Sequence, residues 1–151
     1  MNTKRQDIID AVVVALQDIR TVNGYNSDVG LNVYEWLKHS TDSTVRPCLI
    51  VRDPKDAVES NGPHISDRRL TIEIVAQSDG TSAVDNLRGI LGDIYKAIKK
   101  GDTFGGNIYW IDDGGDEMDG VHEEDRIFSA IVTFTMYYKT GFLDPYSIIN
   151  C

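Results

Sequence analysis

Cysteine is close to absent. Cys48 and Cys151 are the only two in 151 residues, and neither sits in a metal or redox motif. That usage excludes a disulfide scaffold and resembles an ordinary reduced, cytosolic-type chain. Cys48 lies in the apolar run Cys48-Leu-Ile-Val and reads as a small buried hydrophobe. Cys151 ends the sequence, and no cross-link through it is expected. Basic residues are also scarce, 15 against 24 acidic, for a formal net charge of −9. Phosphate contacts come from Lys and Arg, so tight non-specific nucleic-acid binding is not expected. Long apolar runs are missing, and nothing approaches the ~20 residues of a membrane-spanning helix. The run Ala11–Leu16 is short and bracketed by Asp10, Gln17 and Asp18, unlike a signal peptide. The three histidines, His39, His64 and His122, show no zinc-ligand spacing. No nucleophile elbow, Walker loop or dinucleotide-binding glycine pattern occurs, so neither an enzyme nor a cofactor is expected.

What is present is pattern. Arg126–Thr140 places Phe128, Ala130, Val132, Phe134, Met136 and Tyr138 at every second position. Successive strand side chains face opposite ways, so this is one long strand with a fully apolar face. Its odd positions mix Ser129, Thr133 and Thr135 with Ile127, Ile131 and Tyr137, leaving apolar surface for a neighbour to cover. Arg69–Gln77 alternates in the same way and is its natural antiparallel neighbour.

Thr3–Arg20 predicts a helix opened by a Thr3/Gln6 capping box, with Ile8, Ile9, Val12, Ala15, Leu16 and Ile19 inward and Val14 outward. Ser82–Lys100 predicts a second, with Ser82 as cap and Val84, Leu87, Leu91, Ile94 and Ile98 inward. Asp85, Arg88, Asp93, Lys96 and Lys99 lie opposite, on the same arc as Gly89 and Gly92. Two glycines on an exposed helical arc, each costing about 1 kcal/mol relative to Ala, mark a face that another subunit can approach closely.

Leu31–Leu37, Cys48–Val51 (led by Pro47) and Asn107–Ile111 predict short strands. Asn23–Gly30, Thr41–Arg46 and Asp53–Ser66 predict loops. Asp112–Asp125 holds eight of the 24 acidic residues and reads as a solvated acidic loop that contacts a partner. It misses the EF-hand register, since Asp112 first puts Gly114 third and Glu117 sixth. The adjacent acids Glu123 and Glu124 lack the fixed geometry that acid–base chemistry requires. The element order predicts an α+β domain over 1–140, an about five-stranded, mostly antiparallel sheet with two helices packed on one face, and a short tail over 141–151.

The opening helix IIDAVVVALQDI, the strand PCLIV, the entry RRLTIEIVAQ, the helix AVDNLRGILGDIYKAI and the closing strand FSAIVTFTMYYKT together resemble the tail-terminator, or tail-completion, proteins of tailed bacteriophages. The resemblance covers about residues 1–140. It implies a non-enzymatic structural protein of the virion, assembled in the host bacterial cytoplasm as a homo-hexameric ring. That ring would cap the tail tube, end its polymerisation and meet the connector or neck, and in some particles a sheath. DNA would pass without specific binding, and neither membrane, cofactor, metal nor small-molecule substrate is implied. Other readings are a second kind of neck or head-completion ring and, in a different class, a small cytosolic ligand- or cation-binding module. The subunit or partner interface expected from these patterns comprises Gly89, Gly92, Ile127, Ile131, Tyr137, Asp112, Asp113, Asp116, Glu117 and Asp119.

Overall fold

Thr3 caps the first helix as its spacing predicts: its hydroxyl accepts from the Gln6 amide at 3.1 Å. The helix, α1, runs Lys4–Gln17 in a computed structural model that describes residues 2–36, 46–122 and 127–148. It ends before Arg20 because the chain tightens, Asp18 and Ile19 bonding back to Ala15 and Leu16. Ile8, Ile9, Val12 and Leu16 are buried and Val14 is exposed. The second helix, α2, spans Ala83–Gly101. Ser82 stands at its cap position without a side-chain hydrogen bond, and the Asn86 amide bonds the Ser82 carbonyl instead. Leu87, Leu91, Ile94 and Ile98 are buried as expected, whereas Val84 is only half-buried.

Six strands form one sheet, where the sequence suggests about five: β1 Val33–Glu35, β2 Cys48–Asn61, β3 Ile65–Asp79, β4 Trp110–His122, β5 Ile127–Gly141 and β6 Asp144–Ile148. Their order is β1-β2-β3-β5-β4, with β6 beside the end of β5. Only β1–β2 is parallel. The long strand is real and central, pairing along its whole length with β3, from Ile65↔Gly141 to Asp79↔Ile127. Buried and half-buried residues alternate along it. The stripes of α1 and α2 join Leu49, Val51, Leu70, Ile72 and Ile74 and the even positions of β5 in a single apolar cluster.

Two predicted loops are strand. Asp53–Ser66 belongs almost wholly to β2 and β3, with only residues 62–64 left as a turn. Between Arg52 and Lys55 the register shifts by one residue, and Pro54, which has no N–H, sits in that bulge. Each bulge reverses the in–out alternation, which erases the periodicity that marks a strand. Asp112–His122 is likewise strand, bulged between Asp113 and Asp116, where Gly115 adopts φ of 80°. The strand predicted at Asn107 begins only at Trp110, and Leu31 lies in a 3₁₀ turn ahead of a β1 that is three residues long. Leu37, His39, residues 41–45, Glu123, Glu124, Asp125 and Cys151 lie outside the described residues.

The first β2 bulge also holds α1 in place. Asp53 accepts from Arg5 Nε at 2.6 Å and from Trp36 Nε1 at 2.6 Å. Nearby, Tyr138 donates to Asp56, and Arg68 approaches the same carboxylate at 3.9 Å. The rear of the α1 end is closed by Gly30, whose amide bonds the Ile19 carbonyl at 2.9 Å. A Cβ there would lie 2.6 Å from the Gln17 and Ile19 carbonyl oxygens and 2.7 Å from that of Leu16. Gly30→Ala should therefore destabilise the fold by about 1–3 kcal/mol, read by urea denaturation. Gly92→Ala, where a Cβ meets nothing within 4 Å, should instead stabilise it by up to about 1 kcal/mol. Equal midpoints for the two variants would contradict this packing.

Candidate interaction surface

A strand with five acidic residues among its thirteen forms here because β5 has a second edge to satisfy. Unpaired main-chain groups beside an apolar core are costly, and β4 supplies their partners while its charges stay in water. Directly opposed residues share a face. Trp110 lies opposite Tyr137, Asp112 opposite Thr135, Glu117 opposite Ile131 and Asp119 opposite Ser129. Asp113 and Asp116 lie opposite Phe134 and Val132, on the face that meets α2. The five acids expected to act together are thus divided, three on one face and two on the other.

On the first face Asp112 is gripped twice. Tyr137 Oη donates to its Oδ2 at 2.6 Å and Trp110 Nε1 to its Oδ1 at 2.7 Å. The Tyr137 bond, and secondly that from Trp110, holds the Asp112 carboxyl below the usual carboxylate range. The same bond raises the Tyr137 phenol above its ordinary value. Ile131 and Tyr137 are half-buried, and Ile127, at the far end, is 7% exposed.

On the second face Tyr95 Oη donates to Asp116 at 2.8 Å, and Tyr95 packs edge-to-face on Phe134. Burial first, and then Asp116, pushes the Tyr95 phenol up. Asp113 turns inward along its own strand and accepts from the Gly115 amide at 2.8 Å. Between the end of α2 and the start of β4 opens a groove of about 420 Å³, lined mainly by Tyr95, Ile98, Tyr109, Trp110, Ile111 and Phe134. Its outer wall is exposed, Trp110 by 61% and Tyr109 by 51%, with Lys139 Nζ over the Tyr109 ring at 5.4 Å. Asp112, Asp113, Asp116, Glu117 and Asp119 are all exposed, and among the described residues none is in an ion pair. Nor do three or more His, Cys, Asp or Glu side chains converge there in a way that would hold a metal ion.

The glycines of α2 do not touch this strand: neither would bring a Cβ within 4 Å of it. Gly89 has its own chain for a neighbour, with a Cβ reaching Asn26 at 4.0 Å, while Gly92 faces open space. Between them in function lies Asp93, which helical spacing puts on the polar arc. It is 1% exposed, accepting from the Asn26 amide at 2.9 Å and from Ser27 Oγ at 2.6 Å. Nothing local in the sequence marks it; the loop that covers it arrives from 67 residues away. Trp110 was legible as part of a strand but not as a groove wall, because the way the end of α2 packs beside β4 is decided by the sheet and not by the local pattern.

No protein-family model matches the chain, and no curated protein matches it in sequence. Among solved structures, a chain described as "Virion of native gene transfer agent (GTA) particle" has a similar fold. The TM-score is 0.50 at 12% identity, covering 91% of this chain and 92% of that one. At that identity the likeness is one of fold.

The Asp112–Tyr137 bond carries a pH signature. A lowered carboxylate contributes stability that is present above its unfolded value and lost as pH falls through the folded one. A raised phenol contributes stability present below its unfolded value and lost as pH climbs through the folded one. The bond should therefore operate across the whole interval between them. Asp112→Asn should return the Tyr137 phenol toward the ordinary tyrosine range, followed by NMR titration of its ring carbon. An unmoved titration would mean that Asp112 is not the cause.

Proposed function

We propose that this chain is a structural protein of a phage-like virion and that it acts as a tail terminator. In this reading six copies form a ring on the tail tube, stop its growth and present a surface to the connector or neck. The ring subunit would comprise residues 1–140 together with the end of β5 and β6, which the short C-terminal tail expected over 141–151 adds to the same sheet. The observation that carries it is the fold shared, over nine-tenths of both chains, with a chain of a gene transfer agent virion. The terminator assignment within that class draws on the sequence resemblance.

Three physical features support the reading. Both helices packed on one face of the sheet would leave the other, with Ile131 and Tyr137 only half-buried, for a neighbour to cover. Gly92 leaves the outer side of α2 open for close approach. A net charge of −9 repels DNA passing through a ring instead of gripping it. Ile127, Ile131, Tyr137, Gly89, Gly92 and the β4 acids Asp112, Asp113, Asp116, Glu117 and Asp119 are the proposed contact residues. A stable ring would need roughly 800 Å² from each partner at each joint. A ligand-binding module is the second reading, favoured by one observation, the aromatic groove beside β4.

Light scattering across concentration, with and without tail-tube protein, tests the proposal. The expected outcome is a hexamer, either alone or on addition of the tube. Gly92→Arg should leave the monomer's circular dichroism and melting intact while reducing assembly. A monomer indifferent to the tube protein would overturn the terminator reading and turn attention to the groove.

A further inference from the structure

We propose that the outer edge of β4 and the groove beside it receive an extended, cationic segment of a partner protein, which adds to the sheet as another strand. The inference deepens the contact role proposed for the β4 acids by naming a partner for them, and it is argued from this edge without requiring a ring.

Among the described residues β4 ends the sheet, and no strand covers its outer side. Every second residue of an edge strand directs its N–H and C=O outward, so a ladder of donors and acceptors is available to an incoming backbone. The bulge at Gly114–Gly115 divides this ladder into Trp110–Asp113 and Asp116–His122. Proteins often blunt such edges with charge and bulges, and both are present here. Protection alone, however, does not account for Trp110, 61% exposed on the same edge, since a large exposed aromatic defeats that purpose.

Charge selects the occupant. Trp110–Gly120 carries five acidic side chains and no basic one, and none of the five is ion-paired among the described residues. A second copy of β4 laid against the first would set carboxylate against carboxylate, which is destabilising. A segment bearing Lys or Arg on both of its faces would meet Asp112, Glu117 and Asp119 on one side and Asp113 and Asp116 on the other. The groove adds a second element of recognition. Trp110 offers an aromatic face to a guanidinium or ammonium, as Tyr109 already does to Lys139 Nζ at 5.4 Å, and Ile98, Ile111 and Phe134 floor a space for one apolar side chain. The recognised chemistry is a strand cationic on both faces with one apolar residue at the Trp110 end.

The test uses the full chain and a short synthetic peptide in which pairs of adjacent Lys are separated by single Val residues, so that both strand faces carry charge, with one Leu at an end. Two control peptides accompany it: the same peptide with Glu for Lys, and a fully N-methylated copy that keeps the charge but cannot donate to a strand. Binding is followed by tryptophan fluorescence, with Trp110→Phe assigning the signal. The Lys peptide should bind saturably and more weakly as salt is raised. The N-methylated copy should bind about tenfold more weakly, and the Glu peptide should not bind. Asp113→Asn with Asp116→Asn should weaken the Lys peptide by about threefold to tenfold at unchanged circular dichroism. No binding of the Lys peptide would overturn the proposal. So would equal binding of the N-methylated copy, which would reveal charge attraction without strand addition, or an unaffected double variant. Because no ring is needed for these measurements, their failure is distinguishable from failure of the terminator reading.

Discussion

The rest of this structure depends on the register of β5 between its two neighbours. The strand is paired on one edge to β3 along its whole length and on the other to β4. Its side chains alternate in period two, so the register decides which set enters the core. A slip of one residue would turn Val132, Phe134 and Met136 outward and bring Thr133, Thr135 and Tyr137 into the apolar cluster. Each of those polar groups would then need a partner that the core does not contain. The apolar stripes of α1 and α2 have a site to dock only while this register holds. Double-sided pairing makes the strand rigid, and rigidity gives both faces of the sheet a defined chemistry.

Around that strand the fold handles charge in two ways. At the α1 end, charges are tied to the backbone irregularity of β2: the bulge turns Asp53 toward Arg5 and Trp36, and Asp56 serves Tyr138 and Arg68. Charged partners there fasten a helix to a sheet across the chain. Along β4, by contrast, five carboxylates line a free edge, with the Tyr137 hydroxyl and the Trp110 indole on Asp112 and the Tyr95 hydroxyl beside Asp116 and Asp113. The first arrangement is tied internally, although Asp56 Oδ1 and Arg68 Nε stay buried without a hydrogen-bond partner among the described residues. The second is exposed to solvent and remains accessible to a partner.

Much of the local architecture was legible in advance. Thr3 and Gln6 marked the helix start, Val14 was outward, and the strict alternation of residues 127–140 identified the central strand. The misreadings share one physical origin. Pro54 and the glycine pair Gly114–Gly115 look like loop residues because proline lacks an amide donor and glycine is conformationally free. Inside bulges those same properties keep a strand going, since the extra residue needs no ladder bond and tolerates positive φ. Asp112, Asp113, Asp116, Glu117 and Asp119 look like a solvated loop because charge is rare in a strand buried on both sides. On an edge strand their charges stay in solvent, and only the backbone needs to pair.

By itself, then, the sequence determined the properties that arise within a few residues of each other: helical stripes, caps, the alternating face of β5, and a charge balance unsuited to gripping phosphate. It also carried the resemblance on which the virion reading draws. Only tertiary structure decided that the acids of β4 fall on two faces, that Asp93 is covered by a loop from far along the chain, and that Trp110 stands exposed beside a groove. Those outcomes depend on which distant backbone supplies hydrogen bonds and which distant side chains exclude water. Period and propensity describe a segment's own preferences; burial and pairing belong to its neighbours.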